Sequence, residues 1–218
     1  MKEKRIKSIL REVCLAVVAA LLCVALLFAA VKNYRQLQMT FKTIRYSVQE
    51  YPQGEVLLIG SSFMEYWESS EADLGPLHTV NAAVAGTRVA DWKNNFSNLV
   101  EPFHPSAILF YMGTNDINGE ADSKSGEAVA KELEEFFDMV WDALPGTPIY
   151  YISLTYSPER ESVWDELEIC NNRMAQLAQE QENLTFIDCT SVVMGEDGRP
   201  KPESIIGQRY CLMNFCCI

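Results

Sequence analysis

A chain of 218 residues, 48% of them hydrophobic, is long enough for one well-buried domain with something appended. Its formal charge of −12 is unevenly held. Positions 1–35 carry seven of the 18 basic and two of the 30 acidic residues, so the remainder sets 11 bases against 28 acids, a net of −17. Such a surface excludes nucleic acid and other polyanions as partners and suits a neutral or apolar substrate.

Residues 1–12 hold Lys2, Lys4, Arg5, Lys7 and Arg11 against Glu3 and Glu12, a basic tail expected to stay in the cytoplasm. Val13 to Val31, VCLAVVAALLCVALLFAAV, are nineteen apolar positions without a charge. At about 1.5 Å per residue a helix of that length spans roughly the 30 Å hydrocarbon core of a bilayer. Read as an uncleaved single-pass signal anchor, residues 13–31 put the domain outside the cell membrane; Lys32 and Arg35 weigh slightly against that orientation. The alternative is a cleaved signal peptide. Its apolar region would be long for one, and FAAVKN places Phe28 at −3 of the best cut, where a small residue is wanted. The anchor is therefore favoured, and a buried core helix fits neither the length nor the basic flank.

Residues 32–54 read as a membrane-proximal connector, partly helical and closed by YPQG. Beyond it, short apolar runs alternate with helical patterns. EVLLIG (55–60), TVNAAV (79–84), SAILFYMG (106–113), PIYYISL (148–154) and LTFIDCT (184–190) are continuous rather than alternating, as in strands buried on both faces. VADWKNNFSNLVEPF, SGEAVAKELEEFFDMVWDAL and WDELEICNNRMAQLAQEQE have helical spacing, the second started by Asp122 or Ser123 and stopped by Pro145-Gly146. This order predicts a three-layer α/β/α domain around a parallel five-stranded sheet. The seven cysteines are scattered, with Cys211, Cys216 and Cys217 near the end. No Cys/His metal spacing or disulfide framework is visible, and no metal or organic cofactor is expected.

In such folds chemistry sits at the carboxyl ends of the strands. Three turns fall there: Gly60-Ser61-Ser62, the run from Asn81 to Gly86, and Met112 to Asp116. Taken singly each has a plain reading. Ser61 and Ser62 could cap the next helix, Gly86 could serve a tight turn, and Asn115 and Asp116 could be turn and cap residues. Trp67 suits packing, and Asp188 a structural or capping carboxylate.

Together, in order, at the ends of successive strands, the three turns resemble the SGNH, or GDSL-type, hydrolases over roughly residues 54–205. The nearest branch is that of platelet-activating-factor acetylhydrolase subunits and bacterial acyl esterases. Its first block, Gly-Asp/Ser-Ser with a tryptophan five residues beyond the nucleophile, is matched by Gly60, Ser61, Ser62 and Trp67. Its asparagine followed by glycine five residues on is matched by Asn81 and Gly86. Its Gly-x-Asn-Asp is matched by Gly113, Thr114, Asn115 and Asp116. The resemblance implies a flavodoxin-like strand order and Ser62 as the nucleophile toward an ester carbonyl. The oxyanion donors it implies are the Ser62 and Gly86 backbone N–H groups and the Asn115 side-chain amide. Donors must already face the place where negative charge develops; glycine lets the backbone come close, and a neutral amide donates without inviting a counter-charge. Asp116 is not counted as catalytic.

A serine needs a general base, normally a histidine oriented by a carboxylate. The two histidines, His78 and His104, precede the second and third strands. A strand of about six residues at roughly 3.3 Å each puts them about 20 Å from Ser62. The family takes its base from a late Asp-x-x-His, and aligning Met213-Asn214 on that block puts Arg209 and Leu212 in the two catalytic places. Either this is a natural pseudoenzyme, or the coding sequence is shifted or truncated after about residue 205, leaving 206–218 as an aberrant tail. The abrupt loss of resemblance after Pro202-Glu203 favours the second. The expected function is thus a membrane-anchored, extracytoplasmic serine esterase, impaired as written, acting on small-molecule or glycan acyl esters. The alternative is a non-catalytic relative that binds acylated glycans or lipids; a purely structural tethered domain has nothing positive in its favour.

Overall fold

The computed structural model describes residues 2–202, 205–206 and 209–210, and the chain forms two compact units, Met1–Gln38 and Met39–Ile218. The first is built on helix α1 (Lys2–Lys32). Its segment Arg11–Val31 is 21 residues long, unburied, and long and apolar enough to cross a membrane, a property shared by signal sequences.

Helix α2 (Tyr34–Gln49) occupies most of the segment read as a connector. Met39 and Tyr46, seven residues apart and so on one face, are buried in the core of the second unit. Tyr46 packs edge-on against Phe103 with ring centroids 4.9 Å apart, and its hydroxyl donates to the Asn81 carbonyl at 3.3 Å. From Met39 onward this segment is part of the α/β body rather than a spacer, because its buried face is apolar at helical spacing.

The second unit then runs β1 (Val56–Gly60), α3 (Ser62–Glu65), α4 (Ser70–Asp73), β2 (Thr79–Asn81), α5 (Val89–Asn94), α6 (Phe96–Leu99), β3 (Ala107–Tyr111), α7 (Gly126–Ala143), β4 (Ile149–Ile152), α8 (Trp164–Glu180), β5 (Leu184–Ile187) and α9 (Thr190–Val193). A short antiparallel pair, β6 (Ile205–Ile206) with β7 (Arg209–Tyr210), follows. Strands β1 to β5 form one parallel sheet in the order β2-β1-β3-β4-β5, the flavodoxin-like order in which the connection reverses beside β1 and β3.

Continuous apolar strands are explained by the two cores. Leu57, Ile59, Ile108, Phe110, Ile149 and Tyr151 face Trp92, Leu133, Phe136, Phe137 and Met174. Leu58, Leu109, Tyr111 and Ile152 project to the other face, against Met64, Trp67, Ala83 and Cys189. With successive side chains on opposite faces, both sets must be apolar. Strand β2 ends at Asn81, earlier than the apolar run TVNAAV suggests. Ala82 and Val84 nevertheless donate to the Leu58 and Gly60 carbonyls at 2.9 and 3.0 Å, so that run still lines β1 as it turns away.

Helix α7 is started by neither Asp122 nor Ser123. Ser125 is its N-cap, its hydroxyl accepting from the Ala128 N–H at 3.3 Å. Ser123 instead closes the preceding loop by accepting from the Asn118 and Gly119 N–H groups, while Asp122 pairs with Arg88 at 2.7 Å. The next residue, Gly126, lets α7 pass close to α8: a Cβ there would lie 2.1 Å from the Glu166 carbonyl oxygen.

Burial pushes the Cys170 thiol, on α8 under the sheet, from an ordinary 9.0 up to about 12. A folded-state value above the unfolded one means the unfolded chain loses its proton first. Stability should be unaffected by this group below about pH 9 and fall as pH rises toward about 12, by roughly 4 kcal/mol in all. Urea titrations between pH 7 and 11 of the native chain and a Cys170→Ala variant test this. The variant, weaker at pH 7 because of its cavity, should show the shallower alkaline decline; parallel curves would refute the assignment.

Candidate active site

The first turn is shaped by a glycine that cannot be replaced. Gly60 ends β1 with φ of 140°, and a Cβ there would sit 2.2 Å from the Tyr111 carbonyl oxygen of β3. Close passage of the two strands lets the Ser61 N–H donate to that same carbonyl at 3.2 Å. Ser61 stands at the N-cap position of α3, yet its hydroxyl makes no capping bond and is buried without a partner. Ser62, the first residue of α3, is only half-buried. Of the two serines, Ser62 is thus the one open to a ligand.

The second turn carries Gly86 at φ of 74°, a left-handed conformation in which a side chain is strained. Its neighbour Thr87 is fully buried. The Thr87 hydroxyl is 2.7 Å from the Val84 carbonyl and 3.1 Å from that of Gly60, and it accepts from the Trp92 indole at 3.0 Å. Asn81 ties the same loop to α3, donating to the Met64 carbonyl at 2.6 Å and accepting from the Ala83 N–H at 3.1 Å. Glu65 adds a further tie by accepting from the Ala85 N–H at 2.8 Å. Lys42, on α2, donates to the Ala83 carbonyl and lies 3.7 Å from Glu65; burial pushes its ammonium below the ordinary lysine range, and Glu65 opposes that.

In the third turn Asn115 donates from Nδ2 to the Thr87 carbonyl at 2.9 Å. Its Oδ1 lies 3.4 Å from Nη2 of Arg160, which comes from a 3₁₀ turn, Pro158–Val163, beyond β4. Asp116 is fully buried. One of its oxygens accepts from the Val89 N–H at 3.2 Å and so caps α5, and the other is 3.1 Å from Lys124. Burial holds the Asp116 carboxyl above the usual range, with Lys124 opposing. This is a cap residue, as its plain reading has it. Asn115 and Asp116 between them grip the chain on either side of Arg88, immediately after Gly86.

The three turns are therefore interlocked at one edge of the sheet: Gly60 to Thr87, Thr87 to Asn115, and Asp116 to Val89. The arrangement gathers at this edge the turn that carries half-buried Ser62, a glycine turn and a neutral amide whose orientation is determined at both ends. Trp67 is a packing residue, 5% exposed, with its indole donating to Asp73 at 2.6 Å. Asp188 accepts from the Thr190 N–H at 2.8 Å at the start of α9.

Both histidines lie at the opposite edge. The His78 carbonyl accepts from the Val56 N–H at the start of β1, and the His104 carbonyl from the Gly54 N–H just before it. Five residues of strand, at roughly 3.3 Å each, separate that edge from Ser62. Arg209 stands in β7; Leu212, Met213 and Asn214 lie outside the described residues.

Thr87, Glu65, Lys42 and Arg160 are the polar residues of this edge that sequence reading missed. Arg160 alone carried a signal, since it follows the carboxyl end of a fourth strand; the others act through contacts between remote parts of the chain.

The model of the GDSL-like lipase/acylhydrolase family matches residues 59–205. No curated protein matches the sequence. Among solved structures, a Streptococcus pneumoniae protein described as a platelet activating factor is similar with a TM-score of 0.70 at 19% identity, over 86% of this chain and 92% of its own. A GDSL-like lipase from Bacteroides thetaiotaomicron gives 0.62 at 15% identity, over 76% and 87%. An acetylxylan esterase from Geobacillus stearothermophilus gives 0.53 at 14%, over 69% and 88%. At these identities the likenesses speak for the fold.

Proposed function

This chain belongs to the GDSL-like lipase/acylhydrolase family, and on that premise we propose that it is a membrane-anchored, outward-facing serine acyl hydrolase whose nucleophile is Ser62. The observation that carries this reading is the interlocking of the three turns through Thr87, which brings the Gly60, Gly86 and Asn115 blocks to one place. In the proposed step Ser62 Oγ bonds to the carbonyl carbon of an ester, and the hydroxyl proton passes to a base. The carbonyl oxygen takes the negative charge and is met by the Ser62 and Gly86 N–H groups and the Asn115 amide. Collapse expels the alcohol, which takes up a proton, and water then releases the acyl group from Ser62.

The weak point is the proton. Neither histidine stands at the reactive edge, and slow turnover is the expectation. Loss of general-base assistance costs about 10²–10⁴ in rate. The same observation favours a second reading, in which the cleft binds acylated glycans or lipids without hydrolysing them. Neutral short-chain acyl esters suit the body, whose net −17 repels anions. An ester of an acetylated sugar is in keeping with the acetylxylan esterase that shares the fold. Anchoring through residues 13–31, with the N-terminus in the cytoplasm, rests on the length and apolarity of α1 and on the basic flank.

A fluorophosphonate probe tests the assignment, because phosphonylation needs an activated serine. We expect slow labelling, about 10²–10⁴ below that of a relative with its histidine in place, and none in Ser62→Ala. Labelling that survives Ser62→Ala removes Ser62 as nucleophile. Complete absence in the native chain selects the binding reading, and rapid Ser62-dependent labelling overturns the claim that the base is missing.

A further inference from the structure

Residues 82–86, Ala-Ala-Val-Ala-Gly, form the run that carries the second turn, and they have no polar side chain of their own. Whatever holds this backbone comes from elsewhere. On one side it continues β2 along β1, the Ala82 and Val84 N–H groups donating to the Leu58 and Gly60 carbonyls at 2.9 and 3.0 Å. In extended chain the intervening residues turn their N–H and C=O groups the opposite way. No strand meets them there, because β2 is the edge of the five-stranded sheet.

That outer edge is nevertheless inside the protein. Ala83 is fully buried, and a buried peptide group without a partner is costly. Side chains take the place of the missing strand. Asn81 Oδ1 accepts from the Ala83 N–H at 3.1 Å, Lys42 Nζ donates to the Ala83 carbonyl, and Glu65 Oε2 accepts from the Ala85 N–H at 2.8 Å. The two charged groups are 3.7 Å apart, so each also answers the charge of the other.

Lys42 is the unexpected member. It comes from α2, ahead of the residues 59–205 that carry the family's pattern. A lysine that served only the surface of its helix would extend its ammonium into water. This one is turned inward, and burial pushes it below the ordinary lysine range although Glu65 opposes that. Taking two charges out of water leaves such a pair with little net stabilisation, so its effect is to be sought in the geometry of the chain it grips. That chain is the backbone immediately before Gly86.

We propose that Lys42, braced by Glu65, is a positioning residue for the hydrolysis: it fixes the outer edge of residues 83–85 and thereby the direction in which the Gly86 N–H points. This rests on the reading of Gly86 as an oxyanion donor. Without the ammonium, the buried Ala83 carbonyl has to move toward water to find a donor, and Gly86, three residues on, moves with it. A misplacement of about 1 Å at a reacting centre costs up to about 10² in rate.

The test uses the full chain and two variants. Lys42→Met keeps most of the apolar stem and lacks the donor. Lys42→Arg is the rescue, since it keeps donor and charge, and a cleft of about 300 Å³ beside Lys42 and Glu65, lined also by Trp67, Ser70 and Thr79, has room for the longer side chain. Fluorophosphonate labelling of Ser62 is measured together with hydrogen exchange over residues 82–87, read against β3 and β4. Lys42→Met should label about 10–10² more slowly than the native chain. Its residues 82–87 should exchange several-fold faster while β3 and β4 stay as they were, and Lys42→Arg should return both readouts toward native. Exchange that rises in loop and sheet alike would overturn the proposal, because Lys42 would then support only the fold. Unchanged labelling, unchanged loop exchange, or an arginine variant no better than methionine would overturn it as well. A native chain that never labels refutes the hydrolase reading instead. Loop-confined exchange in Lys42→Met would then still uphold Lys42 as the residue that sets this turn, and its absence would overturn that too.

Discussion

Gly60→Ala should cost the fold about 3 kcal/mol or more and leave little native protein, because the substitution meets two obstacles at once. A φ of 140° lies in a region that alanine enters only with strain, worth about 1–3 kcal/mol. Its Cβ would also stand 2.2 Å from the Tyr111 carbonyl oxygen, an overlap with backbone that no rotamer relieves. β1 and β3 would have to part where Ser61 donates to Tyr111, and moving Gly60 would also disturb its carbonyl's bond from Val84, loosening the first and second turns together. Gly146→Ala is the fitting comparison. It has a positive φ of 80° but nothing within 4 Å of its Cβ, so it should cost only about 1 kcal/mol. Urea unfolding of both variants is the measurement. Equal losses would mean that conformational strain, and not the close approach of β1 and β3, is what Gly60 answers.

Asn115→Ala is expected to slow phosphonylation of Ser62 by about 10²–10³, the usual loss for one oxyanion donor. Its effect on stability should be about 1–2 kcal/mol, since what it gives up in the fold is the bond to the Thr87 carbonyl and the long one from Arg160. The disproportion is the diagnostic. If Asn115 only ties two loops together, labelling and stability fall in step. Asn115→Asp sharpens the comparison, because it keeps an acceptor for Arg160 while taking away the donor. It should label as poorly as the alanine variant, and faster labelling by Asn115→Asp than by Asn115→Ala would count against the oxyanion role.

Much of this site was readable before any coordinates. The rule that chemistry gathers at the carboxyl ends of parallel strands sorted Gly60-Ser61-Ser62, Gly86 and Asn115 to one edge and His78 and His104 to the other, and the strand order agrees on every one of these. Asp116 was legible as a cap and Trp67 as packing, because the residue type and the turn already restricted their options. Less was visible where several local readings were equally good. Asp122 and Ser123 were the readable candidates for the start of α7, yet Ser125 caps it, its hydroxyl accepting from the Ala128 N–H beside a Gly126 that packs closely on Glu166.

The sequence by itself determined the layered α/β architecture, the presence of one long apolar helical segment near the N-terminus and the order of the three blocks. These depend on periodicity, which neighbours two to four residues apart impose on one another. Only the tertiary structure decided which serine stays open and how Asn115 is aimed. It also decided that α2 belongs to the body from Met39 onward. Thr87 reaches Gly60 across 27 positions, Arg160 reaches Asn115 across 45, and Lys42 reaches Ala83 across 41. Such contacts leave no trace in local spacing, because the partner's distance along the chain is set by how many elements the fold places between them.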